Sequence, residues 1–196
     1  MTTIGFVRHG VTKWNKEGRS QGNTDIPLDE EGIQMAEQIA TRLENEHWDV
    51  IYSSPLIRAE KTGEVIAKRK QPIELILDDR LRETGGGKAE GTTEAERVEK
   101  WGESWRDMNM EAELEAEVII RGMTFIEEIK MKHPDEKVLV VSHGSFIRTL
   151  LKELVEDEKI QQSKVGNTSL TIVQLGEKVN HCALFNCTNH LNIEEL

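Results

Sequence analysis

Residues 4–10 have the sequence Ile-Gly-Phe-Val-Arg-His-Gly. This apolar run ends on Arg8 and His9 and is broken by Gly10, a pattern that predicts a short buried strand. In α/β sheets, ligands bind where the strands end and the chain turns away. A cation beside an imidazole nucleophile at that point is typical of chemistry on an anion. The alternative is that His9 is only a packed or solvated histidine at a strand end.

A second strand ends in the same way. Residues 137–142 have the sequence Lys-Val-Leu-Val-Val-Ser and predict the clearest strand in the chain, and His143 and Gly144 follow it. If this strand and the first are parallel and adjacent, their ends place two imidazoles at the same edge of one sheet. The paired context favours a shared site over coincidence.

The rest of the chain alternates between helical and strand patterns. Further strands are expected at 48–53 and 73–77, with a C-terminal hairpin at 168–175 and 179–185; helices are expected at 29–46, 55–69, 93–101, 112–132 and 145–155. The order β-α-β-α-β implies a parallel sheet with helices packed on it. We therefore expect one three-layer α/β/α domain over residues 1–196, with a mostly parallel central sheet.

Two stretches lack sustained periodicity. Residues 11–28 predict a long loop, and loops of this length in a compact domain are usually functional. Residues 84–112 predict a lid-like insertion that contains three glycines and a group of large apolar side chains (Trp101, Trp105, Met108 and Met110). These side chains would either line a lid over an apolar leaving group or simply pack a small subdomain.

Composition excludes several classes of protein. The chain has 196 residues and a formal net charge of −11, which argues against a nucleic-acid partner. No apolar stretch approaches the ~18 residues that a membrane helix needs. The N-terminal sequence has no basic region followed by an apolar one, so we expect a cytoplasmic protein. An acidic protein that binds a phosphorylated ligand must hold it in a local patch of arginines.

Two further charged residues are candidates for that site. Arg58 lies just inside the helix after the second strand, where its planar guanidinium can bind phosphate; a surface helix arginine is an equal alternative. Glu83 follows the third strand and precedes three glycines, so it can act as a general acid near a phosphate. Spacing alone favours an ordinary loop carboxylate.

Taken together, these residues resemble the histidine phosphatase superfamily, which includes cofactor-dependent phosphoglycerate mutases and many small phosphatases. The resemblance covers nearly the whole chain. The motifs that carry it are Arg8-His9-Gly10 with Asn15, Gln21-Gly22, Asp25-Ile-Pro27, Ser53-Ser-Pro-Leu-Ile-Arg58, Leu81-Arg82-Glu83, Ser142-His143-Gly144 and Asn167-Thr-Ser169.

The resemblance implies a phosphatase that works in two steps. His9 would form a phosphohistidine, and Arg8, Arg58 and His143 would neutralise the phosphoryl oxygens. Glu83 would protonate the leaving oxygen and then deprotonate water. The substrate-binding residues implied by the family are Asn15, Gln21, Gly22 and Gly144. No metal and no cofactor are expected, and the partner is a small phosphorylated metabolite.

His9 must be unprotonated to attack phosphorus. We expect the neighbouring cations to lower its pKa and leave it as the free base at neutral pH. His181 and His190 are interpreted as structural or solvated side chains.

Two alternatives remain open. A 2,3-bisphosphoglycerate-dependent phosphoglycerate mutase would carry a tyrosine shortly after Glu83, whereas the one tyrosine here is Tyr52. A non-catalytic module that binds phosphorylated ligands would not need a nucleophile and an acid together, and the chain retains both. The sequence does not decide the natural substrate or the oligomeric state.

Overall fold

One six-stranded sheet with helices on both faces organises the protein. The computed structural model describes residues 1–70 and 72–191. The strands are β1 (Thr3–Arg8), β2 (Val50–Ser53), β3 (Leu75–Leu77), β4 (Lys137–Ser142), β5 (Leu170–Gln174) and β6 (His181–Cys187). The helices are α1 (Lys13–Glu17), α2 (Glu30–Leu43), α3 (Ile57–Arg69), α4 (Glu94–Trp101), α5 (Glu115–Lys132), α6 (Gly144–Leu154) and α7 (Glu158–Gln162).

The strand order is β3-β2-β4-β1-β5-β6. The first four strands in that order are mutually parallel, and β5 and β6 add an antiparallel hairpin at one edge. The α/β class, the mostly parallel sheet and the C-terminal hairpin are therefore confirmed. The predicted domain extends to residue 196, and residue 71 and residues 192–196 lie outside the described residues.

Strand β4 shows why both faces of the sheet are covered. Val138 and Val140 belong to a core that includes α5 and α6, whereas Leu139 and Val141 belong to a second core with α2 and α3. All four side chains are fully buried. A continuous apolar run of this kind is typical of a parallel strand that is packed on both sides.

The loop predicted at 11–28 contains the short helix α1, which is a correction. Thr12 and Asn15 form a reciprocal capping box at its start, and Gly18 ends it with a φ of 68°. A helix of five residues spans little more than one turn and is too short to show apolar periodicity. The same reason explains why α7 was not predicted.

The start of α3 also differs from the prediction. The sequence predicts a helix that begins at residue 55, a proline, but the first helical residue is Ile57 and the capping position is Leu56. The backbone N–H of Ile57 donates to Asp25 Oδ1 at 2.7 Å. The first turn is therefore capped by a carboxylate from the loop between α1 and α2, and local sequence cannot predict a cap of that kind.

No helix in residues 1–70 or 72–191 combines the length and apolar character that a bilayer crossing requires.

Candidate active site

The register of two neighbouring parallel strands sets the two histidines side by side. Arg8 at the end of β1 is paired with Ser142 at the end of β4, and the next backbone N–H, of His9, donates to the Ser142 carbonyl at 2.9 Å. The imidazole rings of His9 and His143 follow, with their centroids 5.1 Å apart. Both side chains are almost completely buried.

His9 is held as a neutral base with a defined tautomer. Its Nδ1 lies 2.6 Å from the Gly10 carbonyl oxygen, which can only accept, so Nδ1 carries the proton and Nε2 has the free lone pair. Burial lowers the pKa of His9 well below 6.5, and the charges of Arg8 and Arg58 lower it further. We expected the cations to cause this shift; its direction is confirmed, but burial contributes more.

His143 is oriented by Ser54, the residue that follows β2. Its Nε2 lies 2.8 Å from Ser54 Oγ, and that oxygen also accepts the Leu56 backbone N–H. The hydroxyl proton of Ser54 is then free to point at Nε2, which leaves the proton of His143 on Nδ1. Nδ1 is buried without a hydrogen-bond partner among the described residues, and burial keeps the pKa of His143 well below 6.5. His143 therefore offers an N–H donor.

Arg58 is a fully buried cation. Its Nη1 donates to the Thr24 carbonyl at 2.9 Å and its Nη2 to the Gly22 carbonyl at 2.7 Å. No carboxylate within the described ranges forms an ion pair with it. Burial lowers its pKa to about 10, with Glu83 acting in the opposite direction, so Arg58 remains charged at neutral pH.

Arg8 supplies a second guanidinium, which is partly buried. Its Nη1 donates to the Val165 carbonyl at 2.8 Å, and its Nε has no hydrogen-bond partner in the described structure. Burial lowers its pKa, and the charge of Glu83 opposes that effect. A Cβ at Gly144 would lie 3.2 Å from Arg8 Nε, so glycine at this position lets the start of α6 pass close to the guanidinium.

Glu83 is held by the first turn of α6. Its Oε1 accepts the backbone N–H of Phe146 at 2.9 Å and that of Thr84 at 2.8 Å, and its Oε2 accepts the N–H of Ser145 at 3.2 Å. Two of these three hydrogen bonds come from the start of α6. Glu83 therefore faces the arginines and histidines with its orientation fixed by the backbone.

One cavity of about 170 Å³ joins most of these groups. Its lining residues are Arg8, His9, Asn15, Arg19, Ser20, Gln21, Gly22, Arg58, Glu83, Thr84 and Ser145. All the predicted site residues except the pair His143 and Gly144 line it. The His143 ring lies 5.1 Å from the His9 ring between centroids, and Gly144 lies against Arg8.

The three predicted binding residues from the first loop are positioned by their own contacts. Asn15 and Gln21 both offer side-chain oxygens to the Thr12 hydroxyl, at 3.2 and 3.0 Å, which leaves their amide N–H groups free to face the cavity. Gly22 has a φ of +49°, and a Cβ there would lie 2.0 Å from Glu90 Oε1. Only glycine fits at this position of the turn. The carbonyl of Gly22 in turn accepts a hydrogen bond from Arg58.

The comparison with known proteins is decisive. The model of the histidine phosphatase superfamily (branch 1) matches residues 4–188. The chain belongs to this superfamily. Phosphoserine phosphatase 1 of Hydrogenobacter thermophilus is 35% identical over 201 residues, which cover 97% of this chain and 95% of that protein. The names of the matched relatives include both phosphatases and phosphoglycerate mutases.

Solved structures of histidine phosphatases agree. YhfR of Bacillus stearothermophilus superimposes with a TM-score of 0.86 at 31% identity, covering 97% of this chain and 100% of that one. A phosphoserine phosphatase mutant from Entamoeba histolytica in complex with phosphoserine superimposes with a TM-score of 0.80 at 30% identity, again covering 97% and 100%. The recognition of the superfamily from the sequence motifs is confirmed, and the likeness supports a phosphomonoesterase.

Several residues that position the site of this histidine phosphatase were missed. Ser54 orients His143, and Thr62 accepts the Gly10 N–H at 3.2 Å while donating to the Arg58 carbonyl at 2.8 Å. Thr62 lies one turn after Arg58 in α3, so the spacing was visible in the sequence, but its partner on the first loop was not.

Arg121 is the other positioning residue that sequence reasoning missed. It donates to the carbonyls of Arg80, Arg82 and Glu83 at 2.6, 2.8 and 3.2 Å, and it pairs with Glu113 at 2.7 Å. Arg121 therefore fixes the backbone that carries Glu83. An arginine in the middle of a mainly apolar helix was the one available signal.

The apolar side chains of the 84–112 segment support the packing alternative over the lid. The guanidinium groups of Arg97 and Arg106 lie over the Trp105 ring, 4.8 and 4.4 Å from its centroid. Met110 is buried and Met108 is exposed. The cavities that Glu83 lines have none of the four predicted lid side chains among their described lining residues. A lid-like motion of the segment stays a prediction.

The described residues of this histidine phosphatase contain no group of three or more His, Cys, Asp or Glu side chains arranged to hold a metal ion.

The buried histidines make stability depend on pH. The pKa values of His9 and His143 lie well below 6.5, and burial lowers that of His190 to about 4. Below pH 6.5 the histidines of the unfolded chain bind protons that the folded protein excludes. The free energy of unfolding therefore decreases as the pH is lowered. Three such groups cost about 4 kcal/mol between pH 7.5 and 5.5. Urea unfolding at both pH values measures this loss.

A matched variant separates the histidines from other groups. His190 contacts Thr168 Oγ1 at 3.1 Å behind the site, and His190→Gln is expected to remove about a third of the pH-dependent loss. The carboxylates with lowered pKa values lose their contribution only at more acidic pH. An unfolding free energy that stays constant from pH 7.5 to 5.5 would contradict the buried, neutral state of these histidines.

Proposed function

We propose that this protein is a metal-independent phosphatase that hydrolyses small phosphomonoesters through a phosphohistidine on His9. One observation carries the proposal: two guanidinium groups, of the fully buried Arg58 and the partly buried Arg8, adjoin a neutral imidazole whose Nε2 is free. Neither guanidinium pairs with a carboxylate among the described residues. Buried cations without counter-charges are costly. A phosphoryl group brings the missing negative charge and an electrophile to the same cavity.

In the first step, the lone pair on His9 Nε2 attacks phosphorus. The bond between phosphorus and the ester oxygen breaks, and that oxygen takes a proton from Glu83 as it leaves. The products are the alcohol and a phosphoramidate on Nε2. The Gly10 carbonyl, which accepts the Nδ1 proton at 2.6 Å, stabilises the positive charge that develops on the ring.

In the second step, water attacks the phosphoryl group. The Glu83 carboxylate takes a proton from this water, the P–N bond breaks, and the electron pair returns to His9. Inorganic phosphate leaves and the initial protonation state is restored. Glu83 is suited to both steps, because three backbone N–H groups hold its carboxyl group in one orientation.

The remaining groups position and neutralise the phosphoryl oxygens. Arg8 and Arg58 supply charge, and His143 supplies an N–H. Asn15 and Gln21 line the same cavity with amide groups. These charges replace the metal ion that many phosphatases use.

The same residues disfavour the two alternatives, a phosphoglycerate mutase and a non-catalytic binding module. The tyrosine that a phosphoglycerate mutase would carry after Glu83 is absent, and a non-catalytic module would not need His9 free and Glu83 oriented at once. The finer expectations of a small phosphorylated metabolite as substrate and of a cytoplasmic location stay part of the proposal.

The test is hydrolysis of p-nitrophenyl phosphate with excess EDTA. We expect turnover that EDTA does not reduce and a phosphoenzyme that is labile in acid and stable in base. If wild-type protein is inactive on p-nitrophenyl phosphate but converts 3-phosphoglycerate when 2,3-bisphosphoglycerate is present, the mutase replaces the phosphatase. Inactivity in both assays would leave the binding module.

A further inference from the structure

A second cavity adjoins the proposed phosphoryl site. Its volume is about 220 Å³, and its lining residues are Arg8, Glu83, Gly144, Ser145, Arg148, Lys164 and Val165. It shares Arg8, Glu83 and Ser145 with the cavity that contains His9. Because Glu83 is the proposed proton donor to the leaving oxygen, an alcohol bound at Glu83 is placed at the mouth of this second cavity.

The cations of this cavity lack partners. Arg148 and Lys164 form no side-chain hydrogen bond or ion pair with any residue in the described part of the chain. Each of the other arginines there binds a carboxylate, a carbonyl or another polar atom. The protein has a net charge of −11, yet an anion in this cavity meets two cations that no carboxylate of the described residues neutralises.

The backbone places both cations next to elements that hold the catalytic groups. Arg148 lies one turn along α6 from Gly144 and Ser145, and the Ser145 N–H donates to Glu83. Lys164 precedes Val165, whose carbonyl accepts from Arg8 Nη1 at 2.8 Å. Helix rise places Arg148 about 6 Å along the helix axis from Gly144. Because Arg148 and Glu83 line the same cavity of about 220 Å³, a substituent close to the ester oxygen can enter it.

A third cavity also adjoins Glu83, so the alcohol could extend into it instead. Its lining is mainly acidic, whereas the cavity at Arg148 is lined by cations. It measures about 560 Å³, and its acidic lining residues are Asp79, Glu83, Glu90, Glu111, Glu113 and Glu117. Its two cations are already paired, Arg82 with Asp79 and Arg121 with Glu113, both at 2.7 Å. This surface repels an anionic substituent, whereas the cavity at Arg148 attracts one.

We propose that Arg148 and Lys164 select phosphomonoesters whose alcohol carries a carboxylate close to the ester oxygen. The inference rests on the proposed function, because it requires the phosphoryl group at His9 and the ester oxygen at Glu83. A planar guanidinium binds a carboxylate through two parallel hydrogen bonds, and the lysine adds a flexible charge. Neither residue takes part in phosphoryl transfer; both act on the choice of substrate.

The test compares pairs of substrates that differ by the acid group. Phosphoserine is compared with phosphoethanolamine, and 3-phosphoglycerate with glycerol 3-phosphate, by kcat/KM in EDTA. We expect a preference of about tenfold or more for the carboxylate in both pairs, expressed mainly in KM. Both members of the first pair carry an ammonium group and neither member of the second does. A preference seen only in the first pair would therefore mean that the carboxylate is selected only together with the ammonium group, which would overturn the proposal.

Variants locate the preference. Arg148→Met and Lys164→Met are each expected to reduce it about threefold to fivefold, and Arg148→Lys and Lys164→Arg to retain most of it. The control is Lys130→Met, which removes the same charge from an exposed part of α5 that lines none of these cavities. If Lys130→Met lowers the preference as much as Lys164→Met, the general field of the protein is responsible, and the subsite is rejected.

Failure of this inference is distinguishable from failure of the proposed function. If wild type hydrolyses p-nitrophenyl phosphate through His9 but shows no carboxylate preference, the proposed phosphatase function is retained and the proposed carboxylate subsite is rejected. If a second phosphate on the alcohol is preferred over a carboxylate, as tested with glycerol 1,3-bisphosphate against 3-phosphoglycerate, the cations bind anions but not the class proposed. Loss of all His9-dependent hydrolysis would remove both proposals together.

Discussion

Replacement of His9 by alanine is expected to lower kcat for p-nitrophenyl phosphate by at least about ten-thousand-fold, because no other group can accept the phosphoryl group. The imidazole Nε2 is the one free base at the centre of the cavity among the described residues, and its neighbour His143 is held by Ser54 Oγ at 2.8 Å. Stopped assays with the variant and with wild type, at equal concentration and with EDTA, measure this loss.

The loss must be separated from a loss of structure. His9→Ala removes a buried imidazole whose protonation the fold opposes, so we expect a folded protein with a smaller decrease of stability below pH 6.5. His181→Ala, at an exposed histidine on β6, is the matched control and should keep full activity. Calorimetry should still detect binding of phosphoserine or p-nitrophenyl phosphate, since Arg8 and Arg58 remain. Turnover in His9→Ala above about one per cent of wild type would exclude His9 as the nucleophile.

Much of the site could be predicted because it depends on strand ends. The two apolar runs before Arg8 and before His143 are strong strand patterns, and a parallel sheet brings the ends of adjacent strands to one edge. Neither inference requires knowledge of side-chain packing. The register that pairs Arg8 with Ser142 then sets the distance between the two imidazoles. This register could not be predicted from the sequence, because it depends on which residues of the two strands pair.

What could not be predicted depends on contacts between distant parts of the chain. Arg58 is held by the carbonyls of Gly22 and Thr24, and Glu83 by amides of α6. Partners such as these are backbone atoms, which every residue possesses, so no residue type identifies them. The unpaired state of Arg148 could not be predicted either. The sequence of a helix does not show whether the fold places a carboxylate next to one of its arginines.

The dependence of this site on Glu83 leads to the second large effect. Glu83→Gln is expected to slow the first phosphoryl transfer from an alkyl phosphate by about a hundredfold to ten-thousandfold, because an alkoxide leaves poorly without a proton. Nitrophenolate needs almost no proton, so its release in the first turnover should change by less than about tenfold. Rapid-quench measurements of the first turnover compare the two leaving groups directly.

The second step gives the same variant a further readout. Without the Glu83 carboxylate, water attacks the phosphohistidine slowly, so p-nitrophenyl phosphate should give a burst of one nitrophenolate per active site and an accumulated phosphoenzyme. An alkyl phosphate should give neither, because its first step is slow. Glu127→Gln, which removes an exposed carboxylate of α5, is the charge-matched control.

The amide introduced by Glu83→Gln can keep two of the three backbone contacts of the carboxylate. Its carbonyl oxygen replaces Oε1, which accepts from Thr84 and Phe146, and only the Ser145 N–H loses its acceptor. The expected cost in folding stability is about 1 kcal/mol, too small to explain a hundredfold loss of rate. Equal first-turnover losses on alkyl and nitrophenyl phosphates would therefore mean that Glu83 orients the site without donating a proton, and the acid would have to be sought among the other groups that line the cavity.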